Sequence, residues 1–257
     1  RVRVLEGAVC REMACAAAVT SGFEVAGMGE GQRVKPYYEH AGITIYHADC
    51  RDVLPELIAD VVVTDPPYGL GALTGTEAKR RAKNVYSGAF NDTEEYVSTV
   101  VIPALVVALE QCGGRGALTP GVRCIALYPR ARDLGGFYQP AAVGMGPWGF
   151  ASFNPVLFYG KDPYAGVHVT CTMVPLTEGP SDNGHPCAKP ISACRWMIAK
   201  ASKPGETILD PFAGVGSFMV AAKHMYRGAI GIEIEERYCE IAAKRLAQEA
   251  LPLEMGA

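Results

Sequence analysis

Ile208-Leu209-Asp210-Pro211-Phe212-Ala213-Gly214-Val215-Gly216-Ser217 leads from a short apolar run through a glycine loop into an amphipathic stretch. Thr207-Ile208-Leu209 reads as a strand, Ser217 to Tyr226 as a helix and Ala229 to Ile234 as the next strand. Strand, loop, helix and strand in that order make one βαβ unit, and such a unit implies a parallel sheet. Glycines in the loop let the backbone approach a ligand. Glu233, about 20 residues on and at the next strand's end, is placed to grip ribose hydroxyls. Met219 stands where the third glycine of the dinucleotide fingerprint would be, which argues against a pyrophosphate-bearing cofactor such as NAD. Asp210, Phe212, Gly214, Gly216, Ser217 and Glu233 are therefore candidate cofactor-binding residues, although a lone G-x-G also serves plain helix–strand packing.

Outward from this unit the alternation continues. Ile43 to Tyr46 reads as a strand, Val53 to Ile58 as a short helix, and Asp60 to Thr64, with three successive valines, as a fully buried strand. Asp92 opens a helical stretch in which Pro103 predicts a kink or two abutting helices. Val122 to Tyr128 and Pro155 to Tyr159 read as further strands. Pro190 starts a helix through Lys200, at the N1 position that proline tolerates, and Glu235 to Ala250 is a final amphipathic helix. Residues 1 to about 36 show no clear period, begin without methionine and read as a peripheral arm. The rest, 37–257, reads as one α/β domain with a mostly parallel, doubly wound sheet. Sites in such sheets lie beyond the carboxyl ends of the strands.

A second loop sits at such an end. Asp65-Pro66-Pro67-Tyr68-Gly69 follows the buried strand directly. Two prolines fix φ at successive positions, giving a stiff loop that presents a carboxylate, the Pro66 carbonyl and an aromatic ring. An exocyclic amine on a base is a poor nucleophile, because its lone pair is delocalised into the ring. Asp65 and Pro66 offer two acceptors for its two hydrogens, and Tyr68 offers a stacking face worth about 1–3 kcal/mol. The bland alternative is a rigid surface turn.

The pairing of Asp-Pro-Pro-Tyr with a later Asp-Pro-Phe-x-Gly-x-Gly resembles the amino-methyltransferases that modify adenine N6 or cytosine N4 in DNA. It is most similar to their permuted β group, in which the catalytic motif precedes the cofactor motif. His47-Ala48-Asp49-Cys50 with Leu54 looks like the G-D-C…L segment of that family. Gly184 to Pro190 is similar to its H-P-T-Q-K-P signature, and Gly231 to Ile234 to its ribose-binding strand end. The match covers about residues 36–250. It implies a Rossmann-like S-adenosylmethionine-dependent fold with circularly permuted motif order, Asp65, Pro66, Pro67 and Tyr68 as catalytic residues, and Asp49, Cys50, Asp65 and Lys189 as further cofactor contacts. Ala48 in place of glycine, and Cys187-Ala188 in place of Thr-Gln, are departures that touch the cofactor's surroundings. His185 with Cys187 is no zinc set, and no metal is expected.

The formal net charge is −3, so positive charge for DNA must be local. Lys79, Arg80, Arg81 and Lys83 supply it after the catalytic loop, and family precedent makes this a phosphate-gripping loop rather than a merely solvated one. Arg130 and Arg132 are lesser candidates. The resemblance leaves only about 161–183, with Trp148 before it, for target recognition, which implies a loosely read target or a second subunit forming a homodimer. Nine cysteines without a C-x-x-C pair fit free thiols in a reducing cytoplasm. Met13 to Val19 is too short and too interrupted by Arg11 and Glu12 for a signal peptide, and Leu134 to Gly160 has too many prolines and glycines for a membrane helix. Asp65, rather than the serine more usual in N4-cytosine enzymes, favours adenine. Glutamine-amide methyltransferases carry Asn-Pro-Pro-Tyr and the opposite motif order, and an inactive binding module would not need these residues intact.

Overall fold

The structure, a computed structural model, describes residues 34–69, 92–139, 145–146, 149–150, 152–165, 172–176 and 188–248. The arm before residue 34, the basic cluster Lys79, Arg80, Arg81 and Lys83, and Trp148, His185 and Cys187 lie outside these residues.

Nine strands form the main sheet in the order β1-β2-β11-β10-β3-β4-β8-β5-β9. They are β1 (Tyr38–His40), β2 (Ile43–His47), β3 (Val61–Thr64), β4 (Gly116–Leu118), β5 (Asp133–Tyr138), β8 (Phe153–Tyr159), β9 (Met173–Pro175), β10 (Thr207–Asp210) and β11 (Gly228–Glu233). β6 (Met145–Gly146) and β7 (Gly149–Phe150) make a separate two-stranded ribbon. The central run β2-β11-β10-β3-β4 is parallel throughout, and β8 joins β4 antiparallel. From β3 the chain moves on to β4 on one side, whereas from β10 it moves to β11 on the other. The boundary between β3 and β10 is thus a topological switch point, where a crevice opens at the carboxyl ends of the strands.

Helices cover both faces: α1 (Cys50–Val53), α2 (residues 94–111), α3 (Gly121–Cys124), α4 (Ile191–Ala201), α5 (Ser217–His224) and α6 (Glu236–Ala247). Alternation along β3 sends Val61 and Val63 into a core shared with Met197, Phe218, Met219 and Leu246 of α4, α5 and α6. Val62 faces the other way, towards Leu105 and Leu109 of α2. All three valines are fully buried, each contributing roughly 1.5–3 kcal/mol. β10 divides likewise, with Ile208 in the first core and Leu209 in the second. Among the described residues no helix is long and apolar enough to cross a membrane, and the cysteines found there are free and buried.

Several boundaries differ from the sequence reading. Val122 to Tyr128 is not a strand: Pro120 and Gly121, the latter at φ +66°, turn the chain into α3 and a 3-10 turn (Ile125–Leu127). The strand that pairs with β3 is the three-residue β4 just before it. α1 starts at Cys50 rather than Val53, because Asp49 caps it by accepting the Arg51 backbone N–H at 2.9 Å. Pro190 stands one position before the first residue of α4. The kink expected at Pro103 is a π-helical turn, Val97–Val101, directly ahead of the proline-bearing segment Ile102–Gln111. Met173–Pro175, within the stretch read as a recognition insertion, forms β9 at the sheet edge, paired parallel with β5.

Candidate active site

Thr64 and Asp210 end the adjacent strands β3 and β10, and the Thr64 hydroxyl donates to Asp210 Oδ1 at 2.6 Å. This bond ties together the roots of the two loops singled out in the sequence. Both loops line one cavity of about 350 Å³. Asp65, Pro66, Pro67 and Tyr68 contribute one wall, and Asp210, Phe212, Gly214, Ser217 and Glu233 the other. Asp49, Cys50 and Lys189 also face it. The shared cleft expected from the two motifs therefore exists.

Gly216 does not line it. Its φ of +74° starts α5 in a left-handed turn, and a Cβ there would stand 2.9 Å from that of Ala242 on α6. Close helix packing requires a glycine here. Gly214 is different: its φ is +51°, nothing lies within 4 Å of a Cβ placed on it, and its surface is cavity wall. Its N–H donates to Glu233 Oε2 at 2.7 Å, while the Glu235 N–H donates to Oε1 at 2.8 Å. Burial raises the Glu233 carboxyl, and these two N–H groups oppose that shift. Held from behind in this way, the carboxylate keeps acceptor capacity for the hydroxyls of a ligand.

Asp210 is almost wholly buried. Oδ1 accepts from Thr64 and, at 3.1 Å, from the Phe212 N–H, whereas Oδ2 has no partner among the described residues. Burial pushes its carboxyl up to about 7; the Thr64 and Phe212 bonds pull the other way, and the charges of Asp65 and Glu233 raise it further. Unfolded, an aspartate titrates near 4. Between about 4 and 7 the folded chain therefore holds a proton that the unfolded chain has released, so this group's stabilisation falls as pH rises through that window. Without ligand, Asp210→Asn should unfold several degrees above the wild type at about pH 8, with the gap closing towards pH 4. A gap independent of pH in thermal melts would contradict this account of Asp210.

On the facing loop, Asp65 Oδ1 accepts from the Tyr68 hydroxyl at 2.5 Å and from the Thr119 hydroxyl, and Oδ2 pairs with Lys189 Nζ at 2.8 Å. Lys189 Nζ also donates to the Tyr68 hydroxyl at 2.6 Å and stands 4.8 Å from the centre of that ring. Burial works against the Lys189 charge, but Asp65 and Tyr68 outweigh it and hold the ammonium above its usual range. The sequence assigned Lys189 to the cofactor and Tyr68 to an open stacking face. In this structure Lys189 is engaged with the catalytic loop, and the Tyr68 ring packs on Gly121, where a Cβ would come within 2.9 Å of it. Burial also raises the Tyr68 phenol, the Asp65 charge adding to the effect, so it serves as a donor. A carboxylate has about four acceptor sites, and three donors on Asp65 leave one for a substrate amine.

Asp49 faces the cavity, but its carboxylate caps α1 and pairs with Arg51 Nη2 at 2.6 Å; these bonds, the side-chain one foremost, lower its carboxyl. Burial pushes the Cys50 thiol up to about 12, leaving it an apolar wall. The sequence reading missed Thr119, at the end of β4, and Asn154, at the start of β8, which also lines the cavity. Arg132 is exposed, donates its N–H to Phe158 O, opposite Ala117 in the middle of β4, and does not line the cleft.

Comparison with known proteins points to one family. A model of the N6-adenine/N4-cytosine DNA methylases, described as DNA methylase, matches residues 161–244. The type II methyltransferase M.ScaI of Streptomyces caespitosus is 27% identical over 85% of this chain and 86% of its own. These findings support a DNA amino-methyltransferase of the N6-adenine/N4-cytosine family. A shorter stretch of this methyltransferase, 25% of the chain, is 42% identical to M.HpaI of Haemophilus parainfluenzae, covering 21% of that protein. Among solved structures, the M1.HpyAVI–SAM complex superposes with a TM-score of 0.58 at 20% identity, over 80% of this chain and 100% of that one. The cytosine-N4-specific PvuII methyltransferase does so at 0.53 and 13% identity, over 84% and 90%. These two likenesses concern the fold.

The cofactor of the methyltransferase is S-adenosylmethionine, and the cleft fits it. Gly214 leaves open space, the Glu233 carboxylate suits a ribose diol, and the orphaned Asp210 Oδ2 suits a cationic or N–H donor.

Proposed function

We propose that this protein transfers a methyl group from S-adenosylmethionine to the exocyclic N6 of adenine in DNA. The observation that carries the reading is the single cavity lined by Asp65 and Pro66 on one wall and by Asp210, Gly214 and Glu233 on the other. The cofactor, when bound, supplies an electrophilic methyl group. Everything else is positioning by this chain's own residues.

A base inside the duplex cannot reach the cleft, so the target is flipped out at a cost of a few kcal/mol. Asp65 and the Pro66 carbonyl then accept the two amine hydrogens, which directs the nitrogen lone pair out of the ring plane. Thr119 and Lys189 hold the Asp65 carboxylate in place. Tyr68, fixed between Gly121 and Lys189, borders the ring, and Glu233 and Asp210 orient the cofactor. Phosphate contacts fall to Lys79, Arg80, Arg81 and Lys83, with target recognition near 161–183. Location in the cytoplasm, beside DNA and cofactor, belongs to the same proposal.

Adenine is preferred to cytosine because an aspartate, not a serine, heads the catalytic loop. The test is methyl transfer to mixed-sequence DNA followed by digestion to nucleosides. N6-methyladenine is the expected product. N4-methylcytosine would overturn the choice of adenine and move the same chemistry to the other base, and the absence of both products would overturn the reading as a whole.

A further inference from the structure

On the adenine reading above, we infer that Asn154 reads the target base, its side-chain amide donating a hydrogen bond to the ring nitrogen beside the reacting amine. Asn154 lines the cavity from β8, where its backbone pairs with Phe137. The sheet order places β10 and β11, with the cofactor loop and Glu233, on one side of β3, and β4 and β8 on the other. Asn154 thus reaches the cleft from the side of Asp65 that is remote from the glycine loop. Leu118 is paired with Leu157, three residues along β8 from Asn154, and Gly121, which backs the Tyr68 ring, lies three residues beyond Leu118.

The donors nearest Asp65 are engaged with it or with one another. The hydroxyls of Tyr68 and Thr119 donate to Asp65, and the Lys189 ammonium donates to Asp65 and Tyr68. No hydrogen bond of the Asn154 amide occurs among the described residues, so both its N–H donors remain for a ligand.

The chemistry of the bases says what such a donor selects. In adenine the ring atom next to the exocyclic amine is N1, an acceptor; cytosine N3 is equivalent. In guanine and thymine the corresponding nitrogen carries hydrogen and its neighbour is a carbonyl. A donor at this position, beside two acceptors for the amine, matches the amino bases and confronts the others with donor against donor. Buried polar groups left unpaired are what make such discrimination large.

The test uses the full-length protein, its methylated site mapped first by sequencing, and DNA carrying adenine or 1-deazaadenine at the target position. The deaza base keeps the amine and the ring but lacks the N1 acceptor. Wild type should methylate the adenine substrate on the order of tenfold or more faster in kcat/KM than the deaza substrate. Asn154→Ala should fall to about the deaza level on both, its ratio near one, and Asn154→Asp, with acceptor facing acceptor, should fall further. Cofactor binding by Asn154→Ala, titrated without DNA, should match wild type. An alanine variant that keeps the wild-type ratio, or that loses cofactor affinity in parallel with activity, overturns the role of Asn154. Failure of the adenine reading itself would show separately, as wild type yielding no N6-methyladenine from natural DNA.

Discussion

Replacing Asp65 by asparagine should lower methyl transfer about a thousandfold while leaving the affinity for S-adenosylmethionine within a few-fold of wild type. The carboxylate receives three donors, from Tyr68, Thr119 and Lys189, and its remaining acceptor site faces the cavity. Asparagine keeps the shape but turns one of the two oxygens into a donor, so the loop can no longer hold Lys189 and draw out an amine hydrogen at once. Losses of 10²–10³ are typical when one preorganised electrostatic group is removed from a reacting centre. Alanine should cost as much activity and some stability too. It strands the ammonium of Lys189, whose side chain is only 11% exposed, without its counter-ion. Single-turnover methyl transfer beside cofactor titration separates the two effects. A parallel loss of both would mean that Asp65 holds the cofactor rather than the base.

The second large effect is the converse. Gly214→Val should weaken cofactor binding on the order of a hundredfold. At φ +51° a β-branched side chain is strained by roughly 1–3 kcal/mol. The space its methyl groups would enter is the cavity itself, since nothing lies within 4 Å of a Cβ there. Activity should recover in part at saturating cofactor, because the Asp65 wall is untouched. Equilibrium titration followed by turnover at high cofactor concentration checks this. Undiminished affinity would show that the ligand sits elsewhere.

The two loops were legible in the sequence because each rule they obey is local. A buried strand, two prolines and an aspartate specify a stiff loop, and a strand–glycine–helix sequence with an acid after the next strand specifies a nucleotide-type cleft. What local rules could not show is which partners the loops acquire. Thr119 meets Asp65 across 54 residues of chain, and Lys189 across 124. Neither distance has a sequence period. The packing on Gly216 was hidden for the same reason: the pressure on it comes from Ala242, a helix away. The apolar run from Val122 to Tyr128 resembles a strand, yet Val122 is 63% exposed, because a left-handed glycine and a preceding proline start a helical turn there. The true strand, Gly116–Leu118, is three small or apolar residues too short to announce itself.

The most direct measurement is the affinity of a bisubstrate compound in which adenosine is joined through N6 to the methyl position of a cofactor analogue. If one cleft holds both reactants, wild type should bind it at least tenfold more tightly than S-adenosylhomocysteine. Asp65→Asn should erase that gain, and Gly214→Val should weaken both ligands. Equal affinity of wild type for the linked compound and for S-adenosylhomocysteine would contradict the shared cleft on which this account rests.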